Sequence, residues 1–346
     1  MNKKDIILGS LVALLVGLSY LDVVPESGVL YLIFNMVLVV AGFYMLIKGA
    51  DVFVDGASKI ATKFNIPQMV IGLTIVAFGT SMPEAAVSIK AALSDNAGIT
   101  VGNVVGSNIM NILLILGISA CIATLPIKKN TFAVEIPWVI FITVVLLIMG
   151  VKGYVISFVD GLILCVLMAV FMVYLVKQAK NGESDDEVTE LTEKDTMVKL
   201  LILVAIGIVC IVLGSNVTVD AASYVAEKFG MSARLIGLTI VAFGTSLPEL
   251  VTSATAAKRG KVDIAIGNIV GSNIFNILFV VGVSALITPV AFEKAFIKDT
   301  VVAIAAAVLL FLCVIKDKKL KRSGGVIMLI CYAVYFAYIL YTNYAG

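Results

Sequence analysis

Long apolar runs separated by short polar connectors fill this chain almost from end to end. A bilayer-spanning helix needs about 20 mainly apolar residues. Such runs lie near 7–24, 30–48, 68–90, 98–122, 131–150, 154–176, 198–219, 233–257, 262–287, 297–315 and 324–342. They predict an all-α polytopic membrane protein. One connector is long: Lys177 to Met197 has the low hydrophobicity of a solvated linker. The expected organisation is an extra N-terminal helix or signal-like segment over 1–29, a first transmembrane repeat over 30–176, a cytoplasmic linker over 177–197 and a second repeat over 198–346.

The interior pattern of the spans is written twice. Ile71 to Glu84 reads IGLTIVAFGTSMPE, and 165 residues later Ile236 to Glu249 reads IGLTIVAFGTSLPE. Aligned without a gap, 71–112 and 236–277 share 26 identities in 42 positions, including GNVVGSNIMNI against GNIVGSNIFNI. A weaker match, GADVFVDGASKIA (49–61) over GSNVTVDAASYVA (214–226), keeps the same offset. Five spans fit into one offset, and an odd number makes equivalent helices cross the membrane in opposite directions. The expected fold is therefore ten core helices in two inverted five-helix repeats, an architecture that places substrate near the midplane between the halves.

Composition agrees with the pattern. A hydrophobic share of 61% and a charged share of 14% exclude an ordinary soluble domain, in which about 25% of residues are charged. The net charge of +2 includes no polybasic arm, so nucleic acid is not an expected partner. Five cysteines are scattered singly through apolar runs, and there is no histidine. Packing is their expected role, and no cofactor is expected.

With the N-terminus placed inside, 19 of the 25 basic residues fall on the inner side, as cytoplasmic loops require. This predicts a multi-pass cell-membrane protein with a cytoplasmic N-terminus and an external C-terminus. Lys3 and Lys4 before an apolar run also resemble a signal peptide, but no clear small-x-small cleavage site follows, which favours a retained helix. The KDKKLKR run at 316–322 reads as a topology anchor. The linker acids Asp185, Asp186 and Glu187 read as a solvated loop rather than a regulatory cation site.

The repeated segment carries the chemistry. Pro83 and Pro248 should each break or kink a helix and free carbonyls near residues 79 and 244. Such carbonyls are tolerated at membrane depth only when buried or facing a cavity. Ala77, Thr80, Ser81 and Glu84 fall at i, i+3, i+4 and i+7, as do Ala242, Thr245, Ser246 and Glu249. Each set should line one helical face, offering a carboxylate, two hydroxyls and backbone carbonyls to a hard cation.

In the following helices Asn103, Ser107 and Asn111 recur every four residues, matched by Asn268, Ser272 and Asn276. Asn111 and Asn276 are candidate ligands; Asn103, Asn108, Asn268 and Asn273 are expected to support them from behind. Gly102 with Gly106, and Gly267 with Gly271, form GxxxG patterns expected to allow close helix approach. A charge at the bilayer centre costs at least about 2.5 kcal/mol. The nearest bases, Lys90 and Arg234, sit toward span ends, so Glu84 and Glu249 must be protonated or paired with an ion that comes and goes. Asp51, Asp55 and Asp220 lie near the expected span ends and read as caps or vestibule charges.

The GTSMPE and GTSLPE segments, each followed by a GN(V/I)VGSNIxN segment, resemble the two alpha-repeats of the calcium:cation antiporter superfamily, specifically its sodium/calcium exchanger branch. The similarity covers about residues 30 to 343. It implies ten core helices, sodium entry driving calcium out, and alternating access. It further implies cation ligation by Glu84 and Glu249, by the hydroxyls of Thr80, Ser81, Thr245 and Ser246, by the Ala77 and Ala242 carbonyls, by Ser107 and Ser272, and at Asn111 and Asn276. Some relatives carry an aspartate at one of the last two positions. Here both are neutral amides, leaving two formal charges at the centre, enough for one calcium or two sodium ions.

The residues alone leave a proton/calcium antiporter open, since the same glutamates could titrate. A cation channel remains a different-class alternative. An intramembrane enzyme lacks any histidine or evident nucleophile-base pair. The expected partners are calcium and sodium ions and the lipid bilayer; oligomeric state is not legible.

Overall fold

The apolar runs fold as helices wherever the chain can be described. The computed structural model describes residues 12, 14–17, 28–93, 98–180, 191–192, 195–230 and 242–344. They form α1 (Val29–Phe64), α2 (Gln68–Thr80), α3 (Met82–Leu93), α4 (Thr100–Ile122), α5 (Thr131–Gly153) and α6 (Phe158–Lys180) in the first half. The second half holds α7 (Met197–Lys228), α8 (Leu247–Lys258), α9 (Val262–Ile287), α10 (Lys294–Val314) and α11 (Arg322–Tyr344). Among the described residues, eight helices are long and apolar enough to cross a membrane, and α2 with α3 makes a ninth span bent by 51°. The equivalent span of the second half resumes at a helical turn, Ala242–Gly244, before α8. Its first residues, 236–241, lie outside the described residues, as do most of the 7–24 segment and the linker acids. Within 7–24, Val12 and Val16 are buried against Leu38, Ala41, Val217 and Ala221.

Among the eight long spans two are enclosed and six form a jacket, while α2 and α8 are themselves largely buried. The apolar windows of α4 and α9 are 72% and 83% buried, against 17–39% for the other single-helix spans. The jacket helices expose apolar side chains, such as Leu162, Val166, Val170 and Val173 on α6. That outer surface suits hydrocarbon, while the helices satisfy their own backbone groups.

The halves are interlocked at both ends. Strand β1 (Leu125–Pro126) pairs antiparallel with β4 (Lys319–Leu320), and β2 (Val155–Ile156) pairs with β3 (Val290–Ala291). The repeat offset carries β1 onto β3 and β2 onto β4, so each ladder is the counterpart of the other. The ion pairs Lys128 to Asp263 (2.7 Å) and Arg259 to Asp51 (2.7 Å) each tie a connector of one half to a helix of the other, at the end that the charge pattern puts inside. At that same end Lys59 and Lys199 converge on Asp195. The Thr192 N–H and the Lys199 ammonium hold the Asp195 carboxyl well below the usual carboxylate range.

Helices α1 and α7 cross antiparallel on glycine. Gly42 lies against Gly214 and Thr218, Gly49 against Gly207 and Cys210, and Gly56 against Val204. Gly42 and Gly49 are the repeat equivalents of Gly207 and Gly214, so the contact is nearly self-complementary. The five cysteines are half-buried and free, and Cys121, Cys165 and Cys210 pack against Gly325, Gly282 and Gly49.

Three expectations need correction. Helices α1 and α7 run for 36 and 32 residues, well past the apolar runs, because their last turns leave the apolar layer and carry charge. Asp51 and Asp55 are consequently mid-helix ion-pair partners of Arg259 and Lys59 rather than caps; Asp220 also lies within α7 rather than capping it, and it lines a cavity as a vestibule charge would. The GxxxG pattern is also only partly used. Gly267 and Gly271 are pressed against Gly72 and Leu73, whereas a Cβ on Gly106 would meet nothing within 4 Å.

A Cβ at Gly207 would sit 2.7 Å from the Phe53 Cβ. Overpacking of this kind costs about 1–3 kcal/mol, so Gly207→Val should lower the melting temperature of the detergent-solubilised protein. Gly106→Ala should not.

Candidate cation site

The two repeated GTS(M/L)PE segments meet at the crossing of α4 and α9. Each breaks at its serine. Ser81, with φ −84° and ψ 10°, ends α2, and α3 starts at Met82. Ser246, with φ −92° and ψ 4°, precedes α8 in the same way. Pro83 and Pro248 therefore stand in first turns, where a missing N–H costs nothing. Glu84 and Glu249 fall in those same first turns, where the helix dipole favours negative charge.

The break corrects the single-face expectation. Ala77 and Thr80 belong to one helix and Glu84 to the next, so the polar groups fan out across both halves. Ser81 Oγ donates to Glu249 Oε1 (2.8 Å), and Ser246 Oγ to Glu84 Oε1 (3.3 Å). Ser107 Oγ donates to Glu84 Oε1 (3.5 Å), and Ser272 Oγ to Glu249 Oε1 (3.4 Å). Each carboxylate thus has one oxygen held by a serine from its own half and one from the other. The second oxygens, Glu84 Oε2 and Glu249 Oε2, are buried without a partner.

The asparagines repeat this logic. Asn111 Nδ2 donates to Asn273 Oδ1 and Asn276 Nδ2 to Asn108 Oδ1, both at 3.1 Å. Asn108 Nδ2 donates to the Asn273 carbonyl (3.1 Å). The amide donors of Asn108, Asn111 and Asn276 are spent between helices, whereas Asn111 Oδ1, Asn276 Oδ1 and Asn273 Nδ2 are left buried and unpartnered. Both asparagines open π-helical stretches, Asn111–Leu116 and Asn276–Val281, and such bulges re-aim side chains at functional sites.

The remaining candidates are placed unequally. Thr80 Oγ1 is bonded to Asn268 Oδ1 (2.9 Å) and back to the Val76 and Ala77 carbonyls. The Ala77 carbonyl also accepts from the Ser81 N–H (3.0 Å). Thr245 is half-buried and lines a cavity of about 590 Å³ with Met82, Pro83 and Asp220. Ala242 opens the turn before the break. A second cavity, about 570 Å³, reaches Ser107 and Asn103 between α4, α7 and α11.

Three supporting serines escaped the sequence reading. Asn103 Nδ2 donates to Ser88 Oγ (3.0 Å) and Asn268 Nδ2 to Ser253 Oγ (2.8 Å). Ser88 and Ser253 are identical at the repeat offset inside a diverged stretch, a signal that could have found them. Ser215 Oγ donates to the Gly244 carbonyl (2.7 Å), so the carbonyl freed near the second proline is capped. Its equivalent in the first half is Ala50, which cannot do this.

Among the described residues no lysine or arginine pairs with Glu84 or Glu249. Lys90 is exposed, and Arg234 lies outside the described residues. Two paired carboxylates, four serines and two asparagines, contributed equally by inverted halves, suit a hard cation rather than a zinc or haem centre.

A model of the sodium/calcium exchanger protein family matches residues 34–177 and 199–341. The chain belongs to the sodium/calcium exchanger family. This exchanger-family chain is thus a multi-pass membrane antiporter for calcium and other cations. It is 30% identical to the sodium/calcium exchanger MaX1 of Methanosarcina acetivorans, over 89% of its own length and 99% of the relative. It is 32% identical to the inner membrane protein YrbG of Escherichia coli, over 88% and 97%. A solved structure of the sodium-calcium exchanger NCX_Mj superposes with a TM-score of 0.78 at 35% identity, covering 89% of this chain and 99% of that one.

Asn108 both accepts from Asn276 and donates to Asn273. Stranding buried polar groups costs about 1–3 kcal/mol each. Asn108→Ala should lower the melting temperature more than Asn103→Ala, whose side chain is half-buried; thermal unfolding of the two variants side by side checks this.

Proposed function

We propose that this exchanger moves calcium against sodium by alternating access, with one calcium held between Glu84 and Glu249. The observation that supports this reading is the set of four buried, unpartnered oxygens: Glu84 Oε2, Glu249 Oε2, Asn111 Oδ1 and Asn276 Oδ1. Amide and ionised carboxylate oxygens are acceptors only. An orphaned acceptor costs about 1–3 kcal/mol, so four together call for an electron-poor occupant. Calcium accepts six to eight oxygens at about 2.3–2.6 Å in flexible geometry. Two carboxylates balance its charge; the hydroxyls of Thr80, Ser81, Ser107, Thr245, Ser246 and Ser272 and the Ala77 and Ala242 carbonyls offer further oxygens, more than one calcium takes, that sodium ions can share. Sodium displaces calcium by filling overlapping and flanking oxygens of the same cage.

The moving part in this reading is the α1–α7 pair. It packs on glycine, contacts the bent segments at Gly79 through Phe53 and Ile208, and borders both cavities at the centre. The two repeats divide at the 177–197 linker, and the N-terminal segment is extra to the ten-helix core.

A proton-coupled exchanger is the second reading. Protons on the two glutamates would turn Oε2 into a donor and satisfy the same orphans. Gradients separate the two: in proteoliposomes, an outward sodium gradient at matched pH should drive radioactive calcium uptake. Uptake that follows only a pH gradient would overturn sodium coupling.

Glu84→Gln and Glu249→Gln should each reduce calcium exchange to background while folded protein remains in the membrane, measured by uptake and size-exclusion chromatography. Asn276→Asp adds a third formal charge at the centre. It should shift the reversal potential of exchange measured with clamped ion gradients.

A further inference from the structure

A second buried carboxylate with an unpartnered oxygen lies away from the transport centre. Glu135, 0% exposed, closes the π-helical first turn of α5, Thr131–Glu135. Its Oε1 accepts from Tyr174 Oη (3.0 Å) and Gln178 Nε2 (3.4 Å), both on α6. Thr131 opens the same π-helical turn with its Oγ1 unpartnered, and an ion pair to Lys128 holds Asp263 beside the residues that lead into that turn. Glu135 Oε2 and Gln178 Oε1 have no partner. Nothing in the exchange cycle proposed above uses them.

Charge at this place does not balance. Asp263, at the start of α9 and 3% exposed, is paired with Lys128 at 2.7 Å. Among the described residues Glu135 forms no ion pair. Of the groups that meet here through these contacts, two carboxylates and one ammonium leave a single negative charge, beside neutral oxygens from a threonine, a tyrosine and a glutamine. Burying it unpaired is costly. A relic of the duplication does not explain it, because the equivalent residue is Thr300, whose hydroxyl is satisfied by the Phe296 carbonyl (2.6 Å).

We propose that Glu135, Thr131, Tyr174, Gln178 and Asp263 form a second cation site, for one sodium ion, at the end of the bundle that carries the basic loops. Lys128 already neutralises Asp263, so the remaining single charge selects a monovalent ion over calcium. The orphaned glutamate and glutamine oxygens are its ligands, and the half-buried Gln178 forms its rim. The ion ties the start of α5 to the end of α6 and the start of α9.

Sodium binding to the purified full-length protein tests this, counted at equilibrium with radioactive sodium at pH 8 in choline chloride. Glu135→Gln should bind one sodium fewer than the unmodified protein while retaining calcium exchange. In a Glu84→Gln/Glu249→Gln background, sodium should still raise the melting temperature, and adding Glu135→Gln should remove that rise. This second arm keeps the site separate from the transport reading, since it does not depend on exchange. An unchanged sodium count in Glu135→Gln overturns the proposal. So does an unchanged count accompanied by loss of a pH-dependent melting transition, which would assign the site to a proton. If Glu135→Gln fails to fold, Gln178→Leu keeps the carboxylate and removes the rim oxygen. It should then weaken the extra sodium at least tenfold, and an unaltered affinity also overturns the proposal.

Discussion

Two buried carboxyl groups, Glu84 and Glu249, with no lysine or arginine paired to them among the described residues are the constraint on which the rest of this structure depends. A carboxylate at membrane depth is tolerable only if something compensates it. The protein compensates Glu84 and Glu249 incompletely: each sits in the first turn of a helix, each has one oxygen held by two serines, and each has the other oxygen left bare. The shortfall is what a travelling cation can supply. An internal lysine would remove the need for the ion, and with it the reason to transport one.

Around that shortfall the scaffold is arranged for stiffness. The amides of Asn108, Asn111, Asn273 and Asn276 stitch α4 to α9, and Gly72 and Gly267 bring the bent segment against α9 at van der Waals range. Asn103 and Asn268 reach back to Ser88 and Ser253. Most donor groups thus face neighbouring helices, while four acceptor oxygens, Glu84 Oε2, Glu249 Oε2, Asn111 Oδ1 and Asn276 Oδ1, are left unpartnered. The cross-half exchange of serines also makes the site a property of the pair of repeats, since neither half completes a carboxylate's partners alone.

Much of this was legible in the sequence, for physical reasons that also set the limits. Apolar runs near the bilayer's thickness gave the spans, and the odd number of spans per repeat gave inversion, because both depend only on hydropathy and counting. Glu84, Ser81 and Asn111 stood out because polar residues in oil need a reason. Helical periodicity, however, assumes an unbroken helix. The chain breaks at Ser81 and Ser246 and bulges at Asn111 and Asn276, so residues expected on one face serve opposite halves. The same assumption hid Ser215, whose partner carbonyl exists only after the break. Glu135 gives no signal in the sequence, because its partners Tyr174 and Gln178 belong to the next helix and carry no repeat at the 165-residue offset. Asp51 and Asp55 were misplaced because an apolar run marks where lipid ends, not where a helix does.

The two short strand ladders carry a consequence for how such a protein could arise and fold. Each ladder takes one strand from each repeat, and the two lie at opposite ends of the bundle. A single repeat would leave an unpaired edge at both membrane faces and would lack the α7 partner for α1. Its natural complement is a copy of itself inserted upside down. One repeat on its own is therefore incomplete, and the partner that completes it runs antiparallel to it. In the present chain β1, β2 and α1 of the first half find their partners only in the second half, so the two repeats share one stability rather than two.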